Sequence, residues 1–351
     1  MKKYLIATLF IAMALSANAI NYQSAHLLAP EYKQATIQAN EFSKNLSGQL
    51  QALSNDPTAL KQAFGQFNAQ LLAKAEADPI KPSSQLTAPA QYEQPAVNLY
   101  VFEPKNKKAS SPVIYFMHGG GYLIGNARQQ NASLFELANS TGAVVVSVEY
   151  RLATVSPYPA DIDDAYHGLT YLFDNADKLG FDKQNIILMG ESAGGGLTAR
   201  LALKVRDLGK YVPKGQVLIY PMLDYRTGTN QSLYPNAYAG EFMWTAEFNR
   251  IGWQILQGGQ HIPNNELPYY SASLAKNLKN LPRTFIVVGS LDLFVNENLE
   301  YANRLIQAGV PTDLQVINGV PHGFFEIVPN SPQTHNYKTI RNQVIARMLN
   351  E

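Results

Sequence analysis

The stretch NIILMGESAGGGL (185–197) limits what this chain can fold into more than any other part of it. The apolar run before Gly190 suits a buried strand, and LTARLALKVRDLG (197–209) carries helical spacing. Between them lies G-x-S-x-G. A strand that becomes a helix within so few residues must make a sharp elbow, which lifts the Ser192 hydroxyl above the end of a sheet. Gly190 and Gly194 keep side chains out of the crowded turn, and the N-terminus of the following helix favours nearby negative charge. The pattern alone is moderately selective. With Gly near 7% of residues, a chance match in a chain of this length has probability ~0.1.

A serine hydroxyl is a weak nucleophile until a base takes its proton and an acid orients the base. The chain offers 6 histidines. His322, in GVPHGFF, sits in a loop just after the last strand-like run, LQVI (314–317), where a side chain can reach the strand-end face. His26 belongs to the N-terminal arm, His167 and His335 lie in helical patterns and His261 lies in a long insertion, and all four read as structural. Asp292, in GSLDLF, follows the run TFIVVG (284–289) and is the candidate acid, with Glu297 in the next helix as the reserve. The chain order is Ser192, Asp292, His322.

A second motif, HGGG (118–121), stands directly behind the apolar run PVIYFM (112–117). Attack on an acyl carbon places negative charge on the substrate oxygen, and fixed backbone donors must meet it. Glycines let bare N–H groups approach without Cβ atoms in the way. Gly120 and Gly121 are the expected donors, joined by Ala193, the residue after the nucleophile. Gly119 shapes the turn, and His118, at the end of a buried strand, buttresses the loop. A chance HGGG in such a chain has probability on the order of 0.002, so the two motifs together point to acyl transfer.

From residue 96 onward, short β-rich runs alternate with helical patterns. The runs are VNLYVF (97–102), PVIYFM, AVVVSVEY (143–150), NIILMG, QVLIYP (216–221), TFIVVG and LQVI; the helical patterns lie near 129–140, 160–178, 193–209, 296–308 and 334–349. Near-continuous apolar strands between helices predict an α/β fold whose mostly parallel sheet is covered on both faces. Residues 20–94 are expected to form an N-terminal helical arm, with two amphipathic helices split near Asn55-Asp56-Pro57. Within it, residues 80–94, among Pro79, Pro82, Pro89 and Pro95, read as a linker. Residues 95–351 form the remaining domain. Inside it, about 225–282 is an insertion carrying nine aromatic residues, and it reads as a lid over the strand ends.

Residues 1–19 read as a signal peptide. Lys2 and Lys3 precede the apolar run YLIATLFIAMAL (4–15), and Ser16-Ala17-Asn18-Ala19 offers small residues for cleavage near Ala19. That run is too short for the ~20 residues of a spanning helix, so no stable membrane anchor is expected. The expected destination is export, periplasmic or secreted. With 0 cysteines, disulfides, thiolate metal sites and Cys nucleophiles are excluded, and the 332 residues left of 351 after cleavage must rely on a core. Without Lys2 and Lys3 the charge is 26 basic against 27 acidic residues, with no basic block, so no nucleic-acid partner is expected. No H-E-x-x-H or comparable cluster occurs, and neither a metal nor another cofactor is called for.

HGGG, EYRLA (149–153) with PYPADIDDA (157–165), GESAGGG, YPMLD (220–224) and the Asp292 and His322 loops together resemble the hormone-sensitive-lipase family of carboxylesterases. The resemblance covers roughly residues 95–350. It implies an α/β-hydrolase fold with a helical cap built from the N-terminal helices and the insertion. It also implies cofactor-free hydrolysis of a small-molecule ester with a short acyl or acetyl group, through an acyl-enzyme. By the same analogy Glu149, Arg151 and Asp164 stabilise the surroundings of the site. Two alternatives use the same residues or scaffold. One is an amidase or peptidase, since the three residues specify acyl transfer and not the leaving group. The other is a ligand-binding receptor, which has no need of all three.

Overall fold

The computed structural model describes residues 22–41 and 57–351, so residues 1–21, which include the stretch read as a signal peptide, and residues 42–56 of the helical arm lie outside the described residues. Eight strands form one sheet in the order β1-β2-β4-β3-β5-β6-β7-β8. They are β1 Ser84–Ala88, β2 Val97–Phe102, β3 Ser111–Met117, β4 Val144–Val148, β5 Phe181–Glu191, β6 Gly215–Ile219, β7 Arg283–Gly289 and β8 Thr312–Ile317. β3 to β8 pair in parallel, while β1 and β2 run antiparallel at one edge. Every residue of β4 and of β6 is buried, as expected for central strands covered on both faces.

Successive side chains of a strand point to opposite faces, and the core divides accordingly. Val113, Tyr115 and Met117 of β3 join Ile186 and Leu188 of β5 on one face. Ile114 and Phe116 join Ile187 and Met189 on the other. The first face is covered by α3 (Ala160–Leu179), α4 (Ala193–Leu208) and α7 (Val295–Gln307). The second is covered by α2 (Asn131–Thr141) and α9 (Pro332–Asn350). All seven expected strands and all five expected helices of this domain are present, with ends shifted by a few residues.

One expectation fails. The stretch read as a linker contains β1, which pairs antiparallel with β2 from Ser84 opposite Val101 to Ala88 opposite Val97. Its sequence, SQLTA, has a single large apolar residue, because an edge strand exposes most of its side chains and needs little hydrophobic signal.

α1 (Pro57–Ala77) packs against the insertion, which holds α5 (Ala246–Gln257) and the short α6 (Leu267–Tyr270). Phe64 of α1 packs with Phe248 and Ile251 of α5 and with Leu123, just beyond the HGGG loop. The insertion is also joined to the main core: Trp253 lies against Tyr122 and Tyr270, with ring centroids 5.6 and 5.2 Å away. The segment 22–41 ties the insertion to the loops after β8. The backbone N–H groups of Gln23 and Ser24 donate to the Glu241 carboxylate at 2.8 Å. Ala29 N–H donates to the Gly319 carbonyl at 2.8 Å, and the Tyr32 and Ser331 hydroxyls meet at 2.7 Å.

Where α3 crosses α4, Asp161 and Arg200 form an ion pair whose side chains are 1% and 0% exposed. Arg200 also lies over the Tyr122 ring at 4.9 Å and donates to the Tyr269 carbonyl at 3.2 Å, tying the insertion to both helices. Removing one member of such a pair leaves an uncompensated buried charge, at about 3–5 kcal/mol. Asp161→Ala is therefore expected to lower the urea midpoint by a corresponding amount. A loss under about 1 kcal/mol would show that the pair does not hold these helices together.

Candidate active site

β5 ends at Glu191 and α4 begins at Ala193, so Ser192 alone forms the corner, with φ 55° and ψ −121°. A non-glycine residue in that region is strained by about 1–3 kcal/mol and persists only where its surroundings impose it. Here they do. Ser192 N–H donates to the Ile219 carbonyl at 2.9 Å, and its own carbonyl accepts from Gly196 at 2.9 Å and Met222 at 3.0 Å. Gly194 is pressed against the HGGG strand: a Cβ there would stand 2.2 Å from the Met117 carbonyl oxygen and 2.3 Å from that of His118.

The structure brings Ser192, His322 and Asp292 into one chain of hydrogen bonds. His322 Nε2 lies 2.8 Å from Ser192 Oγ, and His322 Nδ1 lies 2.8 Å from Asp292 Oδ2. Nδ1 therefore carries the proton and Nε2 is left to accept one from the serine hydroxyl. Asp292, fully buried, is itself fixed by the Phe294 N–H, which donates to Oδ1 at 2.9 Å. The His322 ring is held between Tyr220 and Phe294, at centroid distances of 4.6 and 5.3 Å. Glu297, the reserve acid, points elsewhere. It accepts from Leu223 N–H at 2.6 Å and from the Thr227 hydroxyl.

In the HGGG loop Gly120 has φ 125° and Gly121 φ 63°. The Gly120 carbonyl accepts from Leu123 and Ile124 at 3.0 and 3.1 Å, closing a turn. The N–H groups of Gly120, Gly121 and Ala193 donate to no other group among the described residues. His118 is buried, stacks on Tyr150 at 4.4 Å and bonds through Nδ1 to the Gly119 carbonyl at 2.8 Å. Burial lowers its pKa to about 4, so it is neutral at physiological pH and braces the loop. His26 and His167 bond to the backbone carbonyls of Gln23 and Pro89, far from Ser192. Arg151 grips Asp164 with Nε and Nη2, both at 2.8 Å, and Glu149 accepts from Ala127 N–H at 3.1 Å, so this trio organises loops.

Above Ser192 lies a cavity of about 680 Å³. Phe67 and Leu71 of α1, Trp244 of the insertion, and Phe116, Ile124 and Phe325 supply apolar walls. Glu191, Gln130 and Glu326 add polar groups that the sequence reading did not single out. Glu191 was in view as the variable position of G-x-S-x-G, but nothing local shows that it meets residues 61 positions before it.

Comparison with known proteins agrees with this fold. Residues 114–326 match the family described as alpha/beta hydrolase fold. An arylesterase of Saccharolobus solfataricus is 31% identical over 277 residues, 77% of this chain and 85% of that protein. An ethyl acetate hydrolase of Pseudomonas putida is 28% identical over 271 residues, 76% of this chain and 82% of the other. Among solved structures, a bacterial heroin esterase superposes with TM-score 0.76 at 28% identity, covering 92% of this chain and 98% of its own.

The close approach of Gly194 to the HGGG strand has a direct test. Gly194→Ala must part the elbow from the loop, and the donors on the two sides then lose their common focus. Loss of one such donor costs about 10²–10³ in rate. Labelling of Ser192 by a fluorophosphonate should slow by at least ~100-fold, and a rate within threefold of the parent would refute the proposed packing requirement.

Proposed function

This chain belongs to the hormone-sensitive-lipase-like family of α/β-hydrolases and is a serine ester hydrolase, and we propose that it is an exported carboxylesterase cleaving short acyl or acetyl esters through an acyl-enzyme. The observation that carries this reading is the Ser192–His322–Asp292 chain of hydrogen bonds, with Ser192 and His322 lining one cavity together with Gly120 and Gly121, whose N–H groups, like that of Ala193, are unengaged among the described residues.

In this reading the Ser192 oxygen attacks the ester carbonyl carbon while His322 Nε2 takes the hydroxyl proton. Asp292 holds the imidazole in the required tautomer and stabilises the imidazolium. The carbonyl oxygen becomes negative and accepts from Gly120, Gly121 and Ala193 N–H. Collapse of the tetrahedral species breaks the bond to the alcohol, which leaves with the proton from His322. Water then repeats the sequence on the acyl-enzyme and releases the acid.

Two observations support a small substrate. Relatives are named for aryl esters and ethyl acetate, and the cavity is walled by Phe67, Leu71, Trp244 and Phe325. Support for export is the amino-terminal pattern of Lys2, Lys3 and the apolar run that follows. No helix among the described residues is long and apolar enough to cross a membrane.

A panel of p-nitrophenyl esters from acetyl to palmitoyl tests the reading. While a methylene can be buried it contributes up to ~0.8 kcal/mol; past the cavity wall it strains packing by roughly 1–3 kcal/mol. kcat/KM is expected to climb modestly, turn over by about hexanoyl and collapse for long chains. A steady rise through palmitoyl would identify a lipase instead. Ser192→Ala should lose at least about 10³-fold in kcat while unfolding like the parent; retention of a tenth of the activity would exclude Ser192 as nucleophile. Trp244→Ala should move the preferred acyl length upward, and an unchanged preference would take Trp244 out of the acyl pocket.

A further inference from the structure

Glu191 sits between Gly190 and the nucleophile and is 6% exposed. Its Oε2 accepts from the Gln130 side-chain amide at 2.8 Å. The same amide nitrogen donates to Oε1 of Glu326 at 3.2 Å. Glu326 lies in α8 (Phe324–Ile327), one helical turn after His322. One neutral amide thus joins two carboxyls, one carried by the strand that bears Ser192 and the other by the loop that bears His322. An amide NH₂ has two hydrogens, one for each carboxyl.

We propose that Glu191 and Glu326, bridged by Gln130, are positioning residues for the hydrolysis described above: the pair holds one proton, which keeps the Ser192 elbow and the His322 loop docked, and its release sets the alkaline limit of activity. The inference rests on Ser192 and His322 acting as nucleophile and base. With one proton present, Glu191 is neutral and Glu326 carries the charge, on the side where an imidazolium forms at His322. When the proton leaves to solvent, two carboxylates face each other across one donor and repel, pushing the strand end away from the loop.

The surroundings fit that assignment. Burial first, and the Glu326 charge second, push the Glu191 carboxyl up to about 8, and the Gln130 amide and, less, Arg341 on α9 offset this only in part. Glu326 is raised too by its dense surroundings and lowered by His322. It is exposed at the cavity mouth, however, where water moderates the shift, so Glu191 is the member that keeps the proton. The other groups facing the pair are Asp292 behind His322, Tyr220 after β6, Tyr337 and Arg341 on α9, and the Lys338–Glu136 ion pair lining the same cavity. Burial keeps the Tyr220 and Tyr337 hydroxyls protonated well beyond pH 8.

The test is kcat/KM from pH 5 to 10, measured by pH-stat on a short acyl ester, for the parent, Glu191→Gln and Glu326→Gln. The parent should lose activity above about pH 8. Glu191→Gln should lack that alkaline fall and keep the acid limb of His322. Glu326→Gln should lack the fall as well, because a Glu191 carboxylate then has no second carboxylate to repel it across the Gln130 amide. A merely structural role would lower activity at every pH and leave the alkaline limb in place. An unmoved limb in both variants overturns the proposal.

Thermal unfolding gives a readout independent of turnover. The folded pKa of Glu191 is raised from 4.5, so its favourable contribution is complete below that value and is lost as pH rises toward 8. The Tm advantage of Glu191→Gln over the parent should therefore grow between pH 5 and 8. A pH-independent difference overturns the shared proton. A folded parent that hydrolyses no ester at any pH would instead overturn the esterase reading.

Discussion

The parallel pairing of Met117 with Gly190 is the constraint on which the rest of the site depends. It brings the ends of β3 and β5 level, so that the loop after one strand and the elbow after the other face each other across a gap too narrow for a Cβ. The same register continues across the sheet. Glu191 pairs with Ile219, Ile219 with Val287, and Gly289 with Ile317. Tyr220, Asp292 and His322 each follow one of these ends by a few residues. Groups scattered over two hundred positions of sequence thus meet because parallel strands all finish on one side.

That regularity is why so much could be read in advance. The seven apolar runs and the punctuation behind each are local signals: Ser192 stands in the G-x-S-x-G elbow, and Asp292 and His322 stand in loops just past strand-like runs. What escaped was encoded otherwise. β1 is an edge strand whose polar SQLTA offers no periodicity. Gln130 joins Glu191 to Glu326, and a contact made from three distant segments leaves no trace in any one of them. Glu297 shows the reverse case: a plausible acid by position, it is turned away by the Leu223 N–H and the Thr227 hydroxyl.

The aromatic insertion resolves into two populations. Phe242, Trp253 and Tyr270 are 0%, 3% and 4% exposed and belong to the main core. Trp244 instead lines the cavity, and Tyr234 and Tyr238 are 50% and 45% exposed. The insertion is thus packed against the sheet through its inner residues, while the Trp244 indole lines the space above Ser192. Such anchoring favours a pre-formed cavity over one that assembles around each substrate.

The fastening of the amino-terminal segment has a consequence for the order in which the molecule is completed. Gln23 and Ser24 bond to a residue 218 and 217 positions away, and Tyr32 to one 299 positions away. The first of these partners, Glu241, exists only after about two thirds of the polypeptide has been made, and the second, Ser331, only near its end. Closing such long loops carries an entropic cost that only an already organised surface can offset. The first described residues of the chain are therefore among the last to find their place. The join between the insertion and the loops after β8 is thus completed from the amino-terminal side.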